Sequence, residues 1–164
     1  MNLLLKEIIM RHEEFMRRAI ELAVENVKSG GGPFGAVIVR DGEIVATGVN
    51  RVTPNNDPTA HAEVSAIRAA CTKLGTFDLS GCVIYTSCEP CPMCLSAIYW
   101  AGISKIYYGN TKQDAKMIDF DDSFIYDEIE KTTDHRSIPA IALMRKAAQK
   151  AFTDWMEKAD KIEY

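Results

Sequence analysis

A histidine, a glutamate two residues on, and a Pro-Cys-x-x-Cys about thirty residues downstream constrain this chain more than anything else in it: His61-Ala62-Glu63 and Pro90-Cys91-Pro92-Met93-Cys94. A Cys-x-x-Cys pair alone is ambiguous. With a histidine upstream it supplies three ligands of the borderline-soft type that zinc takes, His61, Cys91 and Cys94, and leaves a fourth position open. Glu63 stands beside that opening. As a ligand it would close the site, so its natural role is catalytic, as a carrier of protons. An open position admits water, whose pKa a bound zinc lowers from ~15.7 toward ~7. The site needs no organic cofactor, and the rest of the chain has to bring these residues together.

Periodicity shows how it does so. Over 12–28 the apolar residues Phe15, Ala19, Leu22, Ala23 and Val27 recur at three- and four-residue steps, predicting an amphipathic helix stopped by Ser29-Gly30-Gly31-Gly32-Pro33. The apolar runs 34–39 and 44–49 flank Asp41-Gly42, a β-hairpin signal. Residues 50–59 read as a polar loop. Thr59 is then a reasonable N-cap for a helix over 60–74 ended by Gly75, with His61 and Glu63 in its first turn, where positive partial charge favours a carboxylate. Residues 82–86 read as a third strand. A helix over 92–101 follows, with proline in its first turn. That places Cys91 at the helix start and Cys94 one turn in, on one face, where the thiolate form is favoured.

Residues 105–109 predict a fourth strand, 123–130 a short helix, 138–144 a fifth strand, and 146–158 a terminal helix. The alternation after residue 60 predicts a single domain over 1–164 of the α/β class. Its expected architecture is a three-layer α/β/α sandwich on a mixed five-stranded sheet, with residues 1–9 an optional helical extension.

Composition narrows the partners. With 23 Asp and Glu against 19 Lys and Arg, net charge −4 and a pI near 5.4, the chain lacks the overall positive field that holds a phosphate backbone. The expectation is a small substrate, with no nucleic acid and no membrane. Five cysteines, no signal-peptide pattern and no membrane-length apolar run predict a reducing cytoplasm with metal-bound rather than paired cysteines. Three rival readings of the motifs are weaker. A closed zinc knuckle with Cys88 as fourth ligand leaves Glu63 unexplained, and a redox Cys-x-x-Cys leaves His61 unexplained. The glycines at 30–32 lack the Gly-Lys-Ser/Thr of a phosphate loop and read as a flexible turn under the rim of the site. Cys71 and Cys82 read as core, and His12 and His135 as surface residues.

With Asn-Asp-Pro-Thr-Ala-His-Ala-Glu at 56–63 and Cys-Glu-Pro-Cys-Pro-Met-Cys at 88–94, the chain resembles the cytidine deaminase-like superfamily, whose zinc members carry this spacing. Two of its branches share these motifs, the tRNA adenosine deaminases and the small bacterial guanine deaminases. The resemblance to the latter runs on through Gly-Gly-Pro-Phe-Gly-Ala-Val-Ile-Val (31–39), Ala-Ile-Tyr-Trp-Ala (97–101), Phe-Asp-Asp-Ser-Phe-Ile-Tyr (120–126) and the terminal Glu163-Tyr164. The 120–126 and terminal segments set that branch apart from the tRNA enzymes.

The resemblance implies zinc-dependent hydrolysis of guanine at C2 to xanthine and ammonia, by a homodimer whose C-terminal segments are exchanged between subunits. It implies that Asn50 hydrogen-bonds the purine, that Phe34 packs on its ring, and that Asp122 accepts from the guanine edge. Trp100 joins the substrate pocket, and Tyr164 helps to seal it. Each has a plainer reading: Asp121-Asp122 as a helix-start charge pair, Tyr164 as a frayed end, Asn50 as a loop former, Phe34 and Trp100 as core. The alternatives for the whole chain are a tRNA adenosine deaminase and a zinc-binding module without activity.

Overall fold

The computed structural model describes residues 3–163, in two compact units, Met1–Asp122 and Ser123–Tyr164. In the first unit, strands β1 (Gly35–Arg40), β2 (Glu43–Val49), β3 (Cys82–Cys88) and β4 (Lys105–Asn110) form one sheet in the order β2-β1-β3-β4. β1 is antiparallel to β2 and β3, while β3 and β4 are parallel, so the sheet is mixed as expected. Asp41 and Gly42 both take positive φ, 52° and 76°, the turn that matches strand twist in a two-residue hairpin.

The unit's helices are α1 (Leu3–Lys28), α2 (Val52–Asn55), α3 (Ala62–Leu74), α4 (Pro92–Trp100) and α5 (Lys112–Lys116). Strand alternation sorts the core into two clusters. Val37, Val39 and Tyr85 point toward α1 and pack on Phe15 and Ala19. Ala36, Ile38 and Ile84 point the other way, onto Ala62, Ala66 and Ala70 of α3 and Ile98 of α4. Helices therefore cover both faces of the sheet, giving the three layers. The fully buried Ile38 and Ile84 each contribute about 1.5–3 kcal/mol of burial.

Small residues four apart on α3 let that helix lie directly on β2. A Cβ at Gly48 would collide with the Ala62 carbonyl and the Ala66 amide, so only glycine permits this approach. It sets the start of α3, and with it His61 and Glu63, at the end of the sheet.

Several elements differ from expectation. α1 begins at Leu3, so the first described residues continue it as one helix. α2 lies within the expected loop and is ended by Asn56 at φ 50°. α3 starts two residues late because Thr59 is engaged elsewhere: its amide and hydroxyl donate to Asp57 Oδ1 at 2.8 and 2.7 Å, and the chain stays extended through His61. α5 occupies the charged loop, closed by a Thr111–Asp114 capping box. His12 is not a surface residue. It is half-buried, its ring tilted against Tyr107 at 4.7 Å between centroids and hydrogen-bonded to the Tyr85 hydroxyl.

The sheet has four strands among the described residues, not five. The expected fifth, 138–144, has no regular structure. Pro139 has no N–H for a ladder, and Met144 takes φ 53°, which ends any extended run.

The second unit contains α6 (Ser123–Glu130) and α7 (Arg145–Glu157). Glu128 organises the turn after α6, accepting from Lys131 Nζ at 2.6 Å, the Ser137 amide at 2.7 Å and the Ser137 hydroxyl at 2.9 Å. The Lys131 ammonium and the Ser137 donors hold its carboxyl down at about 2. Ile138, Ile141, Leu143 and Phe152 are all exposed.

Candidate active site

The site forms where α3 and α4 begin. Both helices open the same way: His61 is the N-cap of α3 at φ −71°, ψ 160°, and Cys91 the N-cap of α4 at φ −66°, ψ 168°. N-cap positions ordinarily carry a Ser, Thr, Asp or Asn that accepts from the helix amides, and replacing such a cap costs about 1 kcal/mol. Neither His61 nor Cys91 makes a capping bond. Their side chains turn instead toward each other, giving up cap stability for a shared position. Pro92 occupies the first helical position of α4, which needs no N–H, and Cys94 lies one turn in and fully buried.

His61 Nδ1 is 3.5 Å from Cys91 Sγ and 3.4 Å from Cys94 Sγ, and the three donor atoms lie within 4.8 Å of one another. A tetrahedral ion with metal–sulfur bonds of about 2.3 Å and metal–nitrogen bonds of about 2.0–2.1 Å requires nitrogen–sulfur separations of about 3.5 Å. The spacing and the donor types both fit zinc. The hydrogen bond from Cys94, assisted by His61, holds Cys91 well below the usual thiol range, and the same bond and burial push Cys94 up. Cys91 is thus ready as a thiolate. Cys88 is not part of the group. Its thiol donates to Thr111 O at 3.6 Å, and burial pushes it up to about 11, so the knuckle reading has no fourth sulfur.

Glu63, in the first turn of α3, is 6% exposed. Burial raises its carboxyl above the usual range, opposed by its own backbone amide, the Cys94 thiol and Thr86. Thr86 Oγ1 donates to Glu63 Oε1 at 3.0 Å. Thr86 can reach it because it shares strand parity with Ile84 on the α3 side of β3.

Two further segments of this unit carry the other expected site residues. Asn50 is buried, with its backbone amide donating to Phe34 O at 3.1 Å and its side-chain Oδ1 accepting from the Val52 backbone amide at 3.3 Å. Its NH₂ is therefore the end left to address a ligand. Phe34 meets Phe120 edge to face at 5.0 Å. Asp122 is half-buried; burial first, and then the Cys91 charge, raise its carboxyl above the ordinary range. Asp121 instead pairs with Lys116 at 2.8 Å.

Trp100 is not core. It ends α4, 71% exposed, about 9 Å along the helix axis from Cys94. Tyr164 lies outside the described residues.

Thr86, Glu89 and Phe120 went unnoticed in the sequence. Glu89 joins the metal loop to the segment bearing Phe120 and Asp122: its amide donates to Asn110 O at 2.8 Å, and its Oε2 accepts from the Lys112 amide at 3.1 Å. Phe120 stood in the Phe-Asp-Asp stretch and could have been found there. Thr86 carried only the faint signal of a hydroxyl in an apolar strand.

A histidine and two cysteines at paired helix starts, with a buried carboxylate against them on a mixed sheet, define a zinc-hydrolase type of site. The chain belongs to the cytidine and deoxycytidylate deaminase family, whose zinc-binding region matches residues 9–110. It is 54% identical over 156 residues to guanine deaminase of Bacillus subtilis (strain 168), covering 94% of this chain and 100% of that protein. The X-ray structure of guanine deaminase from Bacillus subtilis superposes with a TM-score of 0.91 at 54% identity, over 93% of this chain and 98% of that one. The tRNA-specific adenosine deaminase of Agrobacterium fabrum (strain C58 / ATCC 33970) is 46% identical over 94 residues, 55% of this chain and 62% of that protein.

Proposed function

We propose that the protein hydrolyses guanine at C2, releasing xanthine and ammonia, with zinc held by His61, Cys91 and Cys94. The observation that carries the reading is the extent of the likeness. Similarity to a guanine deaminase spans 94% of the chain at 54% identity with a TM-score of 0.91, whereas tRNA adenosine deaminases match 55–69% of it at 38–46% identity, and one of their structures matches with a TM-score of 0.62. The half-buried Asp122, whose carboxyl feels the Cys91 charge, supports it.

A bound zinc supplies a Lewis acid that makes a water nucleophilic near neutral pH. The chain's own residues do the rest. Glu63, buried and held by Thr86, takes one proton from the attacking water and passes it to a ring nitrogen; it then takes the second proton from the hydroxyl now on C2 and delivers it to the amine, which leaves as ammonia while the C2 carbonyl forms. Asn50 directs its NH₂ at the purine, and Phe34 with Phe120 flanks the ring. Asp122 accepts from the N–H groups of guanine's amidine edge. Adenine offers ring-nitrogen acceptors instead, and would leave the carboxylate unpaired.

Asp122→Asn is therefore expected to lower kcat/KM for guanine by about tenfold to a hundredfold, the loss of a charge-assisted hydrogen bond. Steady-state kinetics on guanine read this directly; an unchanged kcat/KM removes Asp122 from base selection.

The same reading makes the protein a homodimer acting in the cytoplasm, with the C-terminal segment exchanged so that Trp100 and Tyr164 complete the pockets. Exposed Ile138, Ile141, Leu143 and Phe152 in the second unit support a partner chain over that surface. All five cysteines are unpaired, which suits a reducing compartment. No helix of the described residues is long and apolar enough to cross a membrane. Sedimentation equilibrium should give twice the 18.3 kDa of one chain. A fully active species at the single-chain mass would rule out the exchange.

A further inference from the structure

Asn26, in the last turn of α1, is 4% exposed and aims its amide into the loop between α1 and β1. Its Nδ2 donates twice, to Gly32 O at 2.8 Å and to Asn50 O at 2.7 Å. Both partners are carbonyls, so only the NH₂ end can face them. A backbone bond returns to the same residue, from the Gly31 amide to Asn26 O at 2.9 Å, and the Asn50 amide closes the ring on Phe34 O. The chain thus forms a circuit through Asn26, Gly32, Phe34 and Asn50.

The glycines are shaped to this circuit. A Cβ at Gly31 would fall on the Asn26 amide, and one at Gly32 would come within 2.9 Å of Asn50 Oδ1. Within the turn expected at 30–32, Gly30 is open, while Gly31 and Gly32 form a close-packed saddle over the Asn26 side chain.

We infer that Asn26 is a positioning residue for substrate binding, setting where the Asn50 amide and the Phe34 ring stand. The inference rests on the proposal that Asn50 and Phe34 hold the purine. Asn26 touches neither base nor metal; it acts through two backbone carbonyls. Removing its donors takes the side-chain partner from the buried Asn50 carbonyl and leaves Gly32 O with the Phe34 amide alone, and the saddle shifts to recover the lost bonds. A small displacement of groups that hold the substrate weakens binding and so appears in KM, while the metal and Glu63, which Asn26 does not touch, keep the chemical step.

The test uses the zinc-loaded full chain as wild type, Asn26→Ala, Asn50→Ala and the double variant, with guanine kcat and KM and metal per chain measured for each. Asn26→Ser, which keeps one donor, is the second variant in case alanine does not fold, and should fall between wild type and alanine. For Asn26→Ala we expect KM to rise about tenfold, kcat to change by less than about threefold, and metal content to hold. In the Asn50→Ala background the same substitution should add less than about threefold, because the two act as a unit. Full additivity, an unchanged KM while Asn50→Ala raises it, or a loss confined to kcat and metal overturns the role of Asn26. If Asn50→Ala itself leaves KM unchanged, the purine-site reading fails first and takes this inference with it.

Discussion

Glu63→Gln is expected to reduce guanine deamination by about 10²–10⁴-fold, roughly 3–5.5 kcal/mol of transition-state stabilisation, the range for losing a general acid–base. Glutamine keeps the length of the side chain and an oxygen able to accept from Thr86 Oγ1, so the start of α3 has no reason to move. It cannot take a proton from water or return one to the amine. The loss should appear in kcat, with KM little changed and metal per chain unaltered. Metal analysis beside single-turnover kinetics separates this from damage to the site, since Glu63 is outside the His61, Cys91, Cys94 group. Turnover near the wild-type rate in a Glu63→Gln protein with full metal would mean that another group moves the protons.

Metal removal should have the other large effect, and it should be felt twice. His61 and Cys91 are the N-caps of two separate helices and make no capping bonds of their own, so an ion shared with Cys94 ties the starts of α3 and α4 together. A ligand bound only by the folded state at about a thousand times its dissociation constant stabilises by about 4 kcal/mol, which for a chain of this size lowers Tm by roughly 8–16 °C when it is stripped. Chelation is therefore expected to abolish deamination and to lower Tm together, and added zinc to restore both. Cys94→Ala, at a fully buried position, should reproduce the loss and resist rescue. An active, metal-free chain would contradict the ligand assignment.

The chemistry was legible in the sequence because its parts lie in short windows of fixed spacing. His61 and Glu63 share one turn, as do Cys91 and Cys94, and the two pairs need only one long-range contact to meet. The mixed sheet and the two helix layers followed from apolar runs and glycine stops. Where a local signal was diverted by a neighbour, the expectation slipped. Thr59 looks like a cap, yet Asp57 claims its hydroxyl and amide, so the helix waits for His61. The run at 138–144 looks like a strand, but Pro139 and the positive φ of Met144 prevent it.

Residues acting through contacts between distant segments were not legible. Thr86 meets Glu63 across 23 positions, Glu89 meets Lys112 across 23, and Asn26 meets Asn50 across 24. Nothing in the sequence around them marks the pairing. Trp100 shows the limit from the other side: the resemblance gave it to the substrate pocket and its plainer reading was core, and its exposure removes only the second.

The measurement that bears most directly on the account is ammonia release by the zinc-loaded protein offered, in parallel, guanine, adenine, cytosine, their nucleosides and tRNA. The account predicts ammonia and equimolar xanthine from guanine, with the other substrates far behind. Deamination of adenosine in tRNA with guanine untouched, or no ammonia from any of them, would contradict it.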